Sequence, residues 1–242
     1  MQSFRSKQSW LKIDELKLKT RTGSEMFVKT AYFLLACIIC LNVTSALSEP
    51  VVAERPTFTP GDVWRYDFRN KRYAKPGCKY EVVVEQVTDT NVLARVNYPD
   101  GCEVSVTTVL PVAPGSLQKF DLGMNHYFFS EEPYRAFDFP LFLGKSWTQK
   151  WVFKANGWTY NDEVVGKVEA FEKVTTPAGT FDTFRIHLTR TYLGTNTGRP
   201  TQSGILKDTF WYSPQVKNFV KRSYIDPGWS NITRELVDFS VQ

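Results

Sequence analysis

Few residues of this 242-residue chain carry the chemistry of catalysis. Its two histidines, His126 and His187, lie on separate predicted elements, and no His-x-x-x-His or Cys-x-x-Cys spacing offers a metal chelate. A serine hydrolase would need one of them as its general base, and the motif Gly-x-Ser-x-Gly is absent. Glycine-rich phosphate loops are absent as well. The sequence therefore predicts no catalytic residues, no metal site and no cofactor.

Paired carboxylates are the one exception. Glu131 and Glu132 are adjacent, with Asp138 nearby, and a glycosidase uses two such groups as acid and base. Adjacent acids in a loop are more often simply solvated. A glycosidase-like hydrolase is therefore the third of three functional hypotheses, and the sequence favours a protein that is not an enzyme.

An aromatic segment at residues 126–142 is the stronger candidate for a binding site, because it is too apolar for an idle surface loop. It either plugs the core or lines a cavity in a curved sheet, where an acyl chain or hydrophobic peptide could lie. A second set surrounds Asn156-Gly157, where a tryptophan could stack on a sugar, join a partner interface or fold back on the core. The predicted ligand-binding residues are Tyr127, Phe128, Phe129, Tyr134, Phe137, Phe139, Phe142, Trp151 and Trp158.

Alternation of polar and apolar side chains predicts the elements that position these residues. About ten strands and little helix are expected, in an all-β fold that is a single antiparallel curved sheet, a half-barrel or a sandwich. The predicted strands are Val63–Phe68, Tyr80–Val87, Val92–Tyr98, Val104–Leu110, Trp147–Phe153, Glu163–Val174, Phe181–Tyr192, Ile205–Tyr212, Asn218–Tyr224 and Ile232–Val241.

An export signal is predicted at residues 26–48, where Lys29 leads into an apolar stretch and small residues precede Glu49. A membrane anchor would need about 20 apolar residues, and a lipoprotein would be acylated at Cys37. The cleaved signal fits best, with residues 1–25 as a non-native upstream extension and 49–242 as one β-domain. We expect a periplasmic or secreted protein without a stable transmembrane span after processing.

Charge excludes one class of partner. Seven of the 30 basic residues and three of the 25 acidic residues precede Glu49, so the predicted domain is near neutral. A nucleic-acid-binding domain carries a basic footprint on its folded surface. Nucleic acid is therefore not an expected partner.

The cysteines predict a disulfide bond. Cleavage would leave Cys78 and Cys102 in a compartment where disulfides persist. The turn at 88–91 predicts a hairpin, and if Thr88 faces Val92, paired residue numbers sum to 180. Because 78 and 102 also sum to 180, the two cysteines are expected opposite each other as a structural staple.

Several turn and packing motifs occur in a characteristic order. They are Gly61-Asp62-Val63-Trp64-Arg65-Tyr66, Gly144-Lys145-Ser146-Trp147, Thr176-Pro177-Ala178-Gly179-Thr180-Phe181-Asp182-Thr183-Phe184-Arg185-Ile186 and Trp211-Tyr212-Ser213-Pro214-Gln215-Val216-Lys217-Asn218-Phe219-Val220-Lys221. In these motifs the chain resembles the TapB-like group of exported bacterial β-proteins of unknown function. The resemblance implies a cell-envelope antiparallel β-domain, curled into a half-barrel similar to lipoprotein-carrier folds, and brings no catalytic residues.

Two binding hypotheses precede the hydrolase. The first is a non-enzymatic envelope protein whose curved sheet holds a hydrophobic small molecule, a lipid or a lipoprotein segment. The second is a structural or adaptor module that binds another envelope protein through exposed aromatic side chains or a free strand edge.

Overall fold

The computed structural model describes residues 50–72, 77–99, 115–127, 130–228 and 230–242. Within these ranges the chain forms twelve β-strands and no helix, so the predicted all-β class is confirmed. The strands are β1 (Val52–Ala53), β2 (Val63–Asn70), β3 (Cys78–Val87), β4 (Asn91–Asn97), β5 (Ser116–Asp121), β6 (Leu141–Phe142), β7 (Ser146–Ala155), β8 (Trp158–Thr176), β9 (Gly179–Asn196), β10 (Arg199–Ser213), β11 (Asn218–Asp226) and β12 (Ser230–Ser240).

Ten of these strands form one antiparallel sheet, in the order β5-β4-β3-β2-β12-β11-β10-β9-β8-β7. Adjacent strands of this sheet are also consecutive in the chain, with one exception. β2 pairs with β12 and so joins the meander β2–β5 to the meander β7–β12. The outermost strands of the described sheet, β5 and β7, do not pair with each other, and β1 and β6 form a separate two-stranded ladder. The prediction of a single antiparallel sheet of about ten strands is therefore confirmed.

The sheet buries one face and curls around it. Side chains of β7 alternate between exposed and buried positions, with Trp147, Trp151 and Phe153 on the buried face, as a strand with one solvated face requires. Tyr66 of β2 and Phe120 of β5 line the same cavity as side chains of β10 and β11. Strands far apart in the sheet order thus share one interior, which we call the inner face.

Five irregularities in strand register interrupt the described part of the main sheet, and bulges of this kind bend strands and increase twist. One of them corrects the predicted hairpin register. Beside the turn, Val92 faces Val87 and not Thr88, and beyond the irregularity after Val84 the pairing is Val84 with Ala94. The predicted register is therefore wrong by one residue at the turn and by two residues farther along.

The strand register that led to the predicted disulfide is not the observed one. The bond between Cys78 and Cys102 stays a prediction. Cys78 begins β3, where it faces Phe68 of β2, and β4 ends at Asn97, before the position opposite Cys78. Cys102, the predicted strand at 104–110 and the predicted leader at 26–48 lie outside the described residues. In the part of the chain that is described, no helix is long and apolar enough to cross a membrane.

Candidate functional site

The predicted aromatic segment packs mainly into the core. Tyr134 and Phe137 are buried, and the ring of Tyr134 lies edge-on to Trp151 at 5.5 Å between centroids. Phe139 is half-buried against Tyr212. These side chains pack on the inner face of the sheet beside β7 and β10, and Tyr134 and Phe137 also line a small cavity there.

The remaining predicted residues are scattered. Phe142 is exposed on β6, and Tyr127 lies under the ammonium group of Lys119, 4.4 Å from the ring centroid. Phe128 and Phe129 lie outside the described residues. Trp158 is half-exposed near the tip of the β7–β8 hairpin, far along the strand from the segment.

Side chains of β7 hold the segment at 132–135 against the sheet. Trp151 donates its indole N–H to the Glu132 carbonyl at 3.1 Å, and Trp147 donates to the Arg135 carbonyl at 3.2 Å. Between them Gln149 donates to the Pro133 carbonyl at 2.9 Å and accepts from the Arg135 amide at 2.8 Å. Three successive inward side chains thus satisfy backbone groups of a segment that has no strand partner of its own.

A small cavity remains under this segment. It has a volume of about 70 Å³, which is room for about two water molecules and far below the 300–1,000 Å³ of typical ligand sites. Its polar lining includes Arg222, Arg234 and His126. The cavity is therefore too small for a lipid chain as it stands.

Ionisable groups around the cavity are deeply buried. Arg222 binds Asp208 through two hydrogen bonds of 2.6 and 2.9 Å, and the attraction of Asp208 leaves the pKa of Arg222 raised although burial opposes it. Burial lowers the pKa of Arg234 to about 10. Burial, together with the charge of Arg222, lowers the pKa of His126 to about 3, so this imidazole is neutral at physiological pH.

A larger opening lies on the inner face at the far end of β7–β10. Four rings line it, those of Phe153, Trp158, Tyr160 and Tyr192, and we call it the aromatic groove. Its volume is about 450 Å³, within the range of small-molecule sites. Phe153 stacks on Tyr160 at 4.6 Å with nearly parallel rings, and Trp158 stacks on Tyr160 at 5.9 Å. Of the seven predicted ligand-binding residues that the structure describes, Trp158 alone lines this groove, while Trp151 stacks behind Phe153 at 4.8 Å.

Glycines position the rings of the groove. Tyr160 faces Gly194 across β8 and β9, and Tyr192 faces Gly204 across β9 and β10. A Cβ at either glycine would lie 2.7 Å from the nearest ring atom, so the rings lie directly over the glycine backbone. Trp147 and Gly166 repeat the arrangement at β7 and β8. An isolated glycine within a strand pattern is the sequence signal that could have indicated such a close approach.

Gly194→Ala tests this arrangement. The added methyl group is expected to push the Tyr160 ring aside and to lower the free energy of unfolding by about 1–2 kcal/mol, as overpacking does. Urea denaturation measures the difference. Gly228→Ala is the matched control, since its nearest atom would be 3.7 Å away and its backbone is not left-handed. Equal stabilities of the two variants would contradict the close packing of ring on glycine.

Polar groups complete the groove. Arg190 forms an ion pair with Asp162 at the inner end, and its guanidinium carbon lies 5.3 Å from the centroid of the Phe153 ring. Burial raises the pKa of Asp162 to about 6, against the opposing effect of Arg190. Arg199, Gln202 and Asp226 line the opposite side. The groove therefore combines ring surfaces with hydrogen-bonding groups.

The carboxylates of the hydrolase hypothesis lie apart from this groove. Glu131 and Glu132 are exposed and line a separate opening of about 400 Å³ beside β7, together with Lys150 and Lys154. Asp138 pairs with Lys145 at 3.0 Å. His187 contacts the Thr209 hydroxyl at 3.1 Å. Among the described residues no three His, Cys, Asp or Glu side chains are grouped so that they could hold a metal ion.

Comparison with known proteins gives no family. No family model matches the chain, and no curated protein matches it. The TapB-like resemblance thus has no matching model behind it and stays an expectation from the sequence. Solved structures similar to the chain at low identity include the following three.

The first is a candidate lipoprotein from Parabacteroides distasonis, with 16% identity, a TM-score of 0.45, and coverage of 78% of this chain and 99% of that chain. The second is a candidate exported protein with a YmcC-like fold from Bacteroides fragilis, with 12% identity, a TM-score of 0.40, and coverage of 78% and 99%. The third is the hypothetical lipoprotein YmcC from Escherichia coli, with 7% identity, a TM-score of 0.38, and coverage of 93% and 100%. At these TM-scores none of them assigns a function to this chain.

Proposed function

We propose that this chain is an exported cell-envelope protein that binds a ligand, without converting it, in the aromatic groove of its curved sheet. Export rests on the leader pattern of residues 26–48. Binding rests on one observation, the groove of about 450 Å³ lined by the rings of Phe153, Trp158, Tyr160 and Tyr192. Its ligand presents an apolar surface to these rings.

The proposed ligand lies in the aromatic groove and not beneath the aromatic segment, where the sequence predicted it. The hydrophobic-ligand hypothesis expected a cavity beneath 127–142, but the space there is about 70 Å³, and the buried side chains of Tyr134 and Phe137 form part of its wall. The groove is more than six times larger, at about 450 Å³. We therefore assign the ligand to the groove and leave the packing role to the aromatic segment.

Binding of the neutral apolar fluorophore N-phenylnaphthylamine tests the proposal. We expect saturable binding by the wild-type protein, and an affinity at least about fivefold lower for Trp158→Ala, because the variant loses one ring of the stack. Fluorescence titration gives the affinities. Thermal unfolding of the variant shows whether the half-exposed position has any effect on the fold.

Ile205→Ser is the matched control. Ile205 is an exposed apolar side chain of β10 on the outer face, where Leu193 and Ile225 are also exposed. If Ile205→Ser weakens the fluorophore and Trp158→Ala does not, the apolar contact surface is the outer face. That result would overturn the groove and favour the second hypothesis, an adaptor that binds another envelope protein.

A further inference from the structure

We propose that the ligand of the aromatic groove is a neutral saccharide. This inference rests on the proposed function, since it names the class of ligand for the same groove. Sugars have one face of C–H groups and an edge of hydroxyl groups. A site for them needs both aromatic surface and side chains that donate and accept hydrogen bonds.

Aromatic surface is provided by rings that overlap across the strands. Phe153 lies against Tyr160, Tyr160 lies over Gly194, and Tyr192 lies over Gly204. Tyr160 and Tyr192 meet edge to face at 6.2 Å. The groove thus presents ring surface beside the aliphatic side chains of Leu206 and Ala155, and the sheet holds the rings in place before a ligand binds. A fixed ring costs little conformational entropy when it packs against a rigid sugar.

Hydrogen-bonding groups stand opposite the rings. The Asp226 side chain lines the groove although the residue is only 8% exposed, and it accepts the Gly228 backbone N–H at 3.2 Å. An ionised carboxylate can accept about four hydrogen bonds, so Asp226 has capacity left for hydroxyl donors from a ligand. Arg199 and Gln202 of β10 offer donors on the same side.

These polar groups separate a sugar from a hydrocarbon chain. A lipid tail that filled the groove would remove water from Asp226, Arg199 and Gln202 without giving them hydrogen-bond partners, which costs free energy for each group. Sugar hydroxyls both donate and accept, so they replace the lost water. The lining therefore matches a ligand that is apolar on one side and hydroxylated on the other.

Charge in the groove indicates a neutral ligand. Arg190 is neutralised by its ion pair with Asp162, and Arg199 and Asp226 carry opposite charges on the other side. The lining holds two basic groups and one acidic group, and Asp162, which pairs with Arg190, balances the second basic charge. Arg199 would attract an anionic ligand and Asp226 would repel it, so the groove exerts no net electrostatic attraction on an anion.

The experiment is binding of the full mature protein to an array of neutral hexose and N-acetylhexosamine oligosaccharides, followed by calorimetric titration of the best binder. We expect Asp226→Asn to weaken that oligosaccharide at least tenfold, since a charged acceptor for hydroxyl groups is lost. Trp158→Ala is expected to weaken it as well. Asp89→Asn is the control, because Asp89 is an exposed carboxylate in the turn before β4.

Each outcome decides between the two proposals. If no oligosaccharide binds while N-phenylnaphthylamine still binds in a manner sensitive to Trp158, the saccharide is wrong and the groove stands. If neither probe depends on Trp158, the groove itself is wrong. The inference is also overturned if Asp226→Asn and Asp89→Asn bind the oligosaccharide equally strongly. Thermal unfolding of each variant shows whether a weaker affinity comes from loss of the fold.

Discussion

Arg222→Met is expected to lower the free energy of unfolding by about 3–5 kcal/mol. The side chain of Asp208 is 4% exposed and binds Arg222 through two hydrogen bonds of 2.6 and 2.9 Å. Methionine has similar length but no donor, so the carboxylate would stay buried without the guanidinium that satisfies it. Urea denaturation of both proteins measures the difference.

Two controls show whether the loss comes from the buried charge. The double variant Asp208→Asn/Arg222→Met removes both charges and is expected to recover much of the lost stability. Lys173→Met breaks the exposed pair of Lys173 and Asp182, at 2.8 Å, and is expected to cost less than about 1 kcal/mol. If Arg222→Met costs no more than Lys173→Met, Asp208 is not held as a buried ion in the native protein.

His126→Gln is expected to remove a strong pH dependence of the free energy of unfolding at acidic pH. Burial lowers the pKa of His126 to about 3, below its ordinary value of 6.5. The neutral imidazole therefore contributes stability above pH 6.5 that is lost as the pH falls toward 3, because the unfolded chain then binds a proton that the folded one does not. Between pH 6.5 and 4 the wild-type protein should lose about 3 kcal/mol relative to His126→Gln.

Measuring the difference between the two proteins at each pH isolates this effect. Asp162 acts in the opposite direction, since its pKa is raised to about 6 and its contribution falls as the pH rises toward that value. Both proteins keep Asp162, so its effect cancels. The control His187→Gln replaces the other histidine, which is half-exposed beside Thr209, and should follow the wild-type curve. Parallel curves for wild type and His126→Gln would show that His126 is not kept neutral by burial.

The strands were predictable because their chemistry is local. Alternation in Val63–Phe68 and in Phe181–Tyr192 follows from a sheet with one buried face, and both segments lie in observed strands, β2 and β9. Turn residues at 177–179 likewise mark the connection between β8 and β9. The pairing of β2 with β12 was not predictable, because contacts between strands so distant along the chain leave no periodic signal.

The errors arose where one residue decides the geometry. A single irregularity after Val84 shifts by one residue all pairs of the β3–β4 hairpin that lie farther from the turn. No residue in that alternating stretch of sequence indicates it. The ligand-binding role predicted for the aromatic segment stays a prediction. Apolar content identified 126–142 correctly as unusual, but the sequence could not show that Trp147, Gln149 and Trp151 would hold its backbone against the sheet. The groove depends on cross-strand pairs such as Tyr160 with Gly194, which require the register to be known.

The pairs of ring and glycine have a consequence for how the longest strands find their alignment. β8 and β9 have 19 and 18 residues, and a slip by two positions would leave each side chain on the face of the sheet that it already occupies. Such a slip would set Tyr160 opposite Tyr192 or Asn196 in place of Gly194, and the ring would collide with a side chain. Trp147 with Gly166 and Tyr192 with Gly204 impose the same condition on the two adjoining strand pairs. The glycines thus favour the observed strand register, because in a register shifted by two residues each ring would face a side chain in place of a hydrogen atom.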